Sequence, residues 1–440
     1  MKPYFQTIIC DTETPVSLYS KLAQPYSYAF LLESAETQER IGRYSFIGFD
    51  PLFLHVSPAG GKQNPLEILT SAYEKIKYQP NQALPSLQAG FVGYFSYETV
   101  RHFEKLHLPL APAEIPESIF FFPKNLLIFD HFKRTLTFIA YSKTDLFKLL
   151  SRFKNTKNIP NPTEIPINSG DQLRQFPKNN FENLVSRAKE KICAGETFQI
   201  VLSQEFRQKT AEKSFDIYRK LRLKSPSPYM YYLQYPDFVI LGSSPETLVR
   251  TENDEIIIRP IAGTRRRGKT PNEDKLLEKE LKEDPKEQAE HMMLVDLGRN
   301  DIGAVAKPQS VRVTKLMEVE KFSHVMHLVS EIRGKKPHDK NIFDVFKTAF
   351  PAGTLTGAPK IRAMEIIAKF EKQPRGIYGG AVGYFDLSGN MDFAIAIRTM
   401  VYRSGVVTLR AGAGIVYDSI PELENKECFN KAAAPLTALI

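Results

Sequence analysis

Short polar turns cut much of this chain into β-patterned runs, and they limit the folds open to it. Asn253 and Asp254 divide residues 239–250 from 255–261, and Ser388, Gly389 and Asn390 divide 382–385 from 393–400. Ser404 and Gly405 turn Val401 and Tyr402 back into 406–411. Turns of this length and chemistry join neighbouring strands as hairpins, so the strands are antiparallel. Helices in the later part of the chain come in long separate blocks, at 272–297, 342–350, 359–370 and 421–439. That segregation predicts an α+β fold, with stacked antiparallel β-sheets flanked by helices, and argues against a doubly wound parallel sheet.

The N-terminal part reads as short strands at 28–32, 43–49, 52–56, 90–97, 119–129 and 136–141, with a helix at 66–76. Residues 155–171 carry Pro, Asn, Thr and Ser without periodicity, which marks a surface connector. The expected division is therefore a regulatory and partner-binding region at 1–155 and a catalytic region at 172–440. The second opens with a helix at 181–193, closed by Gly195, and a strand at 197–203.

With 440 residues, 42% of them hydrophobic, the chain can bury a large core. No apolar run is long enough to span a bilayer and residues 1–10 lack a signal-peptide pattern, so no membrane association and a cytoplasmic location are expected. Cys10, Cys193 and Cys428 are isolated, which suits reduced structural thiols. The net charge of +9 is spread along the chain apart from Arg265, Arg266 and Arg267. No helix-turn-helix, zinc or aromatic RNA-binding pattern accompanies it, so a nucleic-acid partner is not expected.

Two groups of carboxylates carry the chemical signal. Glu424 and Glu427 are three residues apart and Lys431 follows four later, so all three share one face of a helix. Glu287 and Glu290 repeat the spacing on a second helix, expected to run from about Thr270 to Leu297. A solvated acidic face would explain either group alone. Together they can enclose a hard divalent cation that keeps several waters, as Mg²⁺ prefers when it bridges protein and an anionic substrate.

Ordered segments then resemble the chorismate-utilising enzymes, most closely the anthranilate synthase large subunits. The segments are residues 260–264, 290–301 with Glu290 and His291, 351–360 with Thr354, 378–384 with Tyr378, and 412–431. The resemblance implies chorismate as substrate and one Mg²⁺, with Glu290 and Glu427 as direct ligands and Glu287 and Glu424 holding its waters. It places Tyr378, Arg398 and the backbone of Gly412, Ala413 and Gly414 on the enolpyruvyl carboxylate. Gly263 and Thr264 are implied as further substrate contacts, as are Thr354 and Lys431. Glu246 matches the acid that protonates the departing hydroxyl, and His327 matches a base or orienting group in the elimination of pyruvate.

Gln199 stands where water-adding relatives carry a lysine base, and a neutral amide cannot activate water. Ala262 stands where aminodeoxychorismate synthases often carry a lysine that attacks the ring; alanine leaves room for ammonia. The resemblance therefore implies anthranilate formation, with aminodeoxychorismate synthesis on the folate route as the alternative. Residues 31–34 with Ser34, residues 43–46, and Pro228, Tyr229 and Met230 resemble the segments that bind tryptophan as feedback inhibitor. Nothing in the chain resembles a glutaminase, so the resemblance implies ammonia from a glutamine amidotransferase partner in a heterotetramer.

Overall fold

A computed structural model describes residues 1–34, 42–109, 115–156, 180–322 and 325–439. Nineteen strands lie among them, and every strand pairing is antiparallel, joined into one hydrogen-bonded system with helices outside it. The expected α+β class is what the chain adopts.

One arm of the sheet runs from Gln199–Lys209 through Val406–Ile415, Thr399–Arg403, Val239–Ser244 and Tyr229–Gln234 to Ala29–Glu33. It continues through the bent strand Tyr44–Ser57 to Ser118–Asp130 and Gly90–Phe95. A second arm passes from Gly90–Phe95 through Ala381–Asp386, Met391–Ile395, Thr247–Glu252 and Glu255–Ile258 to Val325–Lys335. Strands from before residue 155 thus lie as one block between two runs of strands from after residue 180. Of the connector expected at 155–171, residues 157–171 lie outside the described residues, and Asn155 ends the helix Lys143–Asn155.

Aromatic packing ties the arms together. Phe95 and Phe120 pack at 4.6 Å between ring centroids, Phe95 meets Phe346 at 4.9 Å, and Phe385 meets Phe343 at 4.3 Å and Phe393 at 4.7 Å. Tilted rings at these separations add to the burial of their area. The helix Ile342–Ala349 supplies two of these rings, capped by Asn341, whose side chain accepts from the amides of Phe343 and Asp344.

The structure departs from the expected elements in several places. The single helix expected to reach Leu297 is two, Pro271–Glu283 and Pro285–Gly303. Pro285 cannot continue the first, and the Asp284 carboxylate caps the second by accepting from the amides of Lys286 and Glu287. Residues 239–250 form two strands broken at Pro245, and residues 393–400 are interrupted by Arg398, whose φ is 49°. The helix Ser214–Lys224 and the hairpin Arg312–Lys321/Val325–Lys335 were not anticipated; the first strand of that hairpin is largely exposed and so lacks a buried alternation.

Gly93 sits where three strands meet, opposite Gly383 on one side and Phe120 on the other. A Cβ there would overlap the carbonyl oxygen of Ile119. Gly93→Ala is expected to cost about 2 kcal/mol or more, because ladder backbone has no room to shift. Urea unfolding checks this; an unchanged midpoint would show that the strands can separate there.

Candidate active site

A cavity of about 1100 Å³ opens between the end of the Gln199 strand, the Gly263 strand and the helices that carry the paired carboxylates. Its position follows from a β-bulge. The strand Ile261–Arg266 slips register between Ala262 and Thr264, with Gly263 at φ +65° in the bulge. Glycine takes this left-handed conformation without a Cβ penalty. The bulge aims the Gly263 carbonyl at His327, whose Nδ1 lies 2.8 Å away, with Thr264 Oγ1 at 3.0 Å. A carbonyl can only accept, so Nδ1 carries the proton and Nε2 keeps its lone pair. Burial pushes the His327 pKa down and the charge of Arg398 adds to that, which keeps the ring neutral at pH 7.

Glu246 lines the same cavity, in the break between two strands, with its carbonyl accepting from the Ile395 amide at 3.0 Å. Water reaches its carboxyl through the cavity, yet the surrounding protein desolvates it enough to raise its pKa to about 7. Thr354, Lys431 and Arg398 offset part of that rise. The Thr354 hydroxyl approaches Glu246 but lies outside strict hydrogen-bond geometry, so it is buried without a full partner. Arg398 is pushed down by burial, with Glu246 partly opposing. Its guanidinium has no hydrogen-bond or ion-pair partner among the described residues. An acid whose pKa is raised to about 7 and a half-buried cation share one cavity, an arrangement suited to an anion with a leaving oxygen.

The glycines beyond Arg410 make space rather than turns. A Cβ on Gly412 would lie 2.5 Å from the Tyr378 hydroxyl, and one on Gly414 would lie 2.6 Å from Gln199 Nε2. Burial keeps Tyr378 a phenol. Lys431 Nζ donates to the Gly412 carbonyl at 3.2 Å. Ala413 alternates to the other face of its strand, where it is buried with Val185 and Ile366 away from the cavity. It is the one sequence-predicted substrate or metal residue whose side chain the fold does not bring there.

Glu287, Glu290, Glu424 and Glu427 all face the cavity. The Glu290 pKa is raised by burial first and then by repulsion from Glu287 and Glu427; that of Glu424 is raised by burial and by Glu427. Carboxylates that repel one another across a cavity wall fit a hard divalent cation. They do not form a closed ligand set among the described residues. Glu287 Oε1 is bound to Arg265 at 3.0 Å and Glu427 Oε1 to Lys431 at 2.6 Å.

Two residues of the floor escaped sequence reasoning. Arg375 is buried, donates to both oxygens of Glu371 at 2.7 and 2.9 Å, and donates to the Leu355 and Val201 carbonyls at 2.7 Å each. Glu98 accepts from the amides of Arg375 and Gly376 at 2.6 and 3.1 Å, and burial raises its pKa to about 7. Charge in a chain of 25% charged residues gave no signal for either.

A second cavity, of about 990 Å³, lies behind the first and is lined by Ser34, Tyr44, Pro228, Tyr229 and Met230. Pro228, Ile261, Glu320 and Phe322 line both. The Tyr229 hydroxyl bonds Thr247 at 2.8 Å and Asp392 at 2.9 Å.

The profile of the chorismate binding enzymes matches residues 18–437. Anthranilate synthase component 1 of Acetivibrio thermocellus is 43% identical over 99% of this chain and 95% of its own. Probable anthranilate synthase component 1 of Schizosaccharomyces pombe is 41% identical over 99% of this chain and 92% of its own. The crystal structure of anthranilate synthase component I from Streptococcus pneumoniae superposes with a TM-score of 0.80 at 36% identity, covering 97% of this chain and 98% of that one. The fold, without closer kinship, is shared with the menaquinone-specific isochorismate synthase of Escherichia coli, at 20% identity and a TM-score of 0.76 over 100% and 95% of the chains.

The chain belongs to the chorismate binding enzymes. Its place among them is in the anthranilate synthase component 1 family.

Glu246 offers a pH test that needs no substrate. Its folded pKa of about 7 exceeds the ordinary 4.5. The folded state therefore holds a proton that the unfolded chain has released, and stability is lost as pH rises through that window. Glu246→Gln is expected to gain stability relative to the parent between pH 4.5 and about 7, and to hold the gain above it. Urea unfolding at a series of pH values measures this; parallel profiles would show that Glu246 ionises normally.

Proposed function

We propose that this chain is the aminating catalytic subunit of an anthranilate synthase. It converts chorismate and ammonia to anthranilate and pyruvate through an aminodeoxyisochorismate intermediate, the first step of tryptophan biosynthesis. The observation that carries the reading is the meeting, in one cavity, of a carboxylic acid poised near neutrality and a half-buried guanidinium without a hydrogen-bond or ion-pair partner among the described residues. Gln199 and Ala262, neither able to act as base or nucleophile, complete the wall.

The chemistry follows from what each group can do. Arg398 offsets the charge of a substrate carboxylate, and Tyr378 gives a neutral phenol donor beside it. Glu246 gives its proton to the C4 hydroxyl, which leaves as water while ammonia bonds to C2 and the ring double bonds shift. General acid help of this kind contributes on the order of 10²- to 10⁴-fold. In the second step the C2 proton passes to a base, the ring becomes aromatic and the C3–O bond breaks to release pyruvate. His327 Nε2, neutral and fixed by the Gly263 carbonyl, is suited to take that proton. A divalent ion, Mg²⁺ in this reading, would be held by Glu290 and Glu427 with Glu287 and Glu424 on its waters, and would supply counter-charge to the ring carboxylate.

The ammonia comes from a glutamine amidotransferase partner, in a heterotetramer. Two of the three thiols, Cys10 and Cys428, are buried, and burial pushes the Cys428 pKa up to about 12, the reverse of a nucleophilic thiolate; Cys193 is exposed, at the end of the helix Phe181–Cys193 and outside the lining of both cavities. Tryptophan binds the second cavity at Ser34, Pro228, Tyr229 and Met230 and acts through the wall the cavities share. The enzyme works in the cytoplasm; no helix among the described residues is long and apolar enough to cross a membrane.

Incubating the purified chain with chorismate, Mg²⁺ and an ammonium salt is expected to yield fluorescent anthranilate and an equal amount of pyruvate. A product that keeps its enolpyruvyl group would place the chain on the aminodeoxychorismate route.

A further inference from the structure

Two carboxylates of the active-site wall, Glu287 and Glu427, are paired with cations that belong to the chain itself. Lys431 and Glu427 are one helical turn apart with side chains 50% and 46% exposed, and water screens such a pair strongly. Arg265 is more enclosed, at 21% exposure, and three carboxylates surround its guanidinium: Glu280 at 2.9 Å, Asp284 at 2.8 Å and Glu287 at 3.0 Å. They come from both sides of the helix break at Asp284. Arg265 also follows Thr264 directly on the strand whose bulge positions Gly263.

We propose that Arg265 is a resident counter-ion for Glu287 which an incoming divalent cation must displace. In this structure Glu287 lies against Arg265; metal entry draws it toward the ion, while Asp284 and Glu280 retain the guanidinium. Metal affinity is thereby set by a competition inside the protein, and the strand holding Gly263 and Thr264 senses its outcome. The inference rests on the divalent-site reading above.

Arg266 provides the control, because it has the same charge one residue on but pairs with Glu273 and is 59% exposed. The experiment titrates the full chain with Mn²⁺ in the absence of chorismate and reads free Mn²⁺ by electron paramagnetic resonance. Arg265→Gln is expected to bind Mn²⁺ roughly five- to tenfold more tightly, since a cation a few ångströms from the site is removed. Glu280→Gln, at a surface position, leaves Arg265 firmer on Glu287 and is expected to weaken Mn²⁺ binding by about twofold. Arg266→Gln is expected to bind as the parent does. Equal tightening in both arginine variants, or unchanged or weaker binding in Arg265→Gln, overturns the competition. If Arg265→Gln does not fold, the direction of the Glu280→Gln change decides. A parent chain that binds no Mn²⁺ removes the divalent reading and this inference with it.

Discussion

The floor of the active site is fixed by one buried guanidinium. Arg375, in the loop after the helix Lys360–Glu371, spans Glu371 at that helix's end, the Leu355 carbonyl beside Thr354, and the Val201 carbonyl on the strand that begins with Gln199. Its carbon lies 4.8 Å from the centre of the Tyr97 ring and 5.6 Å from that of Tyr378. A buried ion pair holds only when its remaining donors and acceptors are satisfied, and removing one partner typically costs ~3–5 kcal/mol. Glu371 meets that condition, since it also accepts from the Ser203 amide and hydroxyl at 2.8 and 3.0 Å and takes a bond from Arg410 at 3.4 Å. Burial raises its pKa, but Arg375 and Arg410 outweigh that and keep it ionised. Tyr378, Thr354 and Gln199 come from distant stretches of chain, and this network fixes them relative to one another.

Above that floor, the cavity divides its charge by distance from water. Glu246 and Arg398 are deep enough for desolvation to set their behaviour: one holds a proton to about pH 7, and the other has no hydrogen-bond or ion-pair partner among the described residues, with only the charge of Glu246 opposing its burial. The glutamates of the outer wall repel one another, and two of them, Glu287 and Glu427, pair with cations of the chain. In the proposed reaction a dianionic substrate with a leaving hydroxyl would meet the first arrangement, and a divalent ion the second. Neither half alone would choose between a structural acid cluster and a reaction centre; their opposition across one cavity does.

Much of this was legible in the sequence, and the physical reasons for the rest are specific. Hairpin turns at Asn253 and Gly389 disclosed the antiparallel sheet because turn chemistry is local. The helical spacing of Glu287 with Glu290, and of Glu424 with Glu427, put each pair on one face, and the fold brings both faces to one cavity. Hidden features depend on contacts made across the fold. Nothing local marks Arg375 or Glu98 as buried, or shows that Arg265 grips the helix bearing Glu287. Strand alternation explains why Ala413 turns away while Gly412 and Gly414 face the site. Pro285 was visible in the sequence, but only the cap at Asp284 shows that it starts a new helix.

The central claim is that carboxylates from two helices share one ion facing Glu246 and Arg398, and crystallography of the Mn²⁺-loaded chain with anomalous scattering tests it most directly. One peak is expected, with oxygens of both Glu290 and Glu427 at about 2.0–2.6 Å, the range of hard oxygen ligands. Glu287 should have turned from Arg265 toward that ion. A peak elsewhere, or Glu290 and Glu427 remaining too far apart to touch the same ion, would contradict the account.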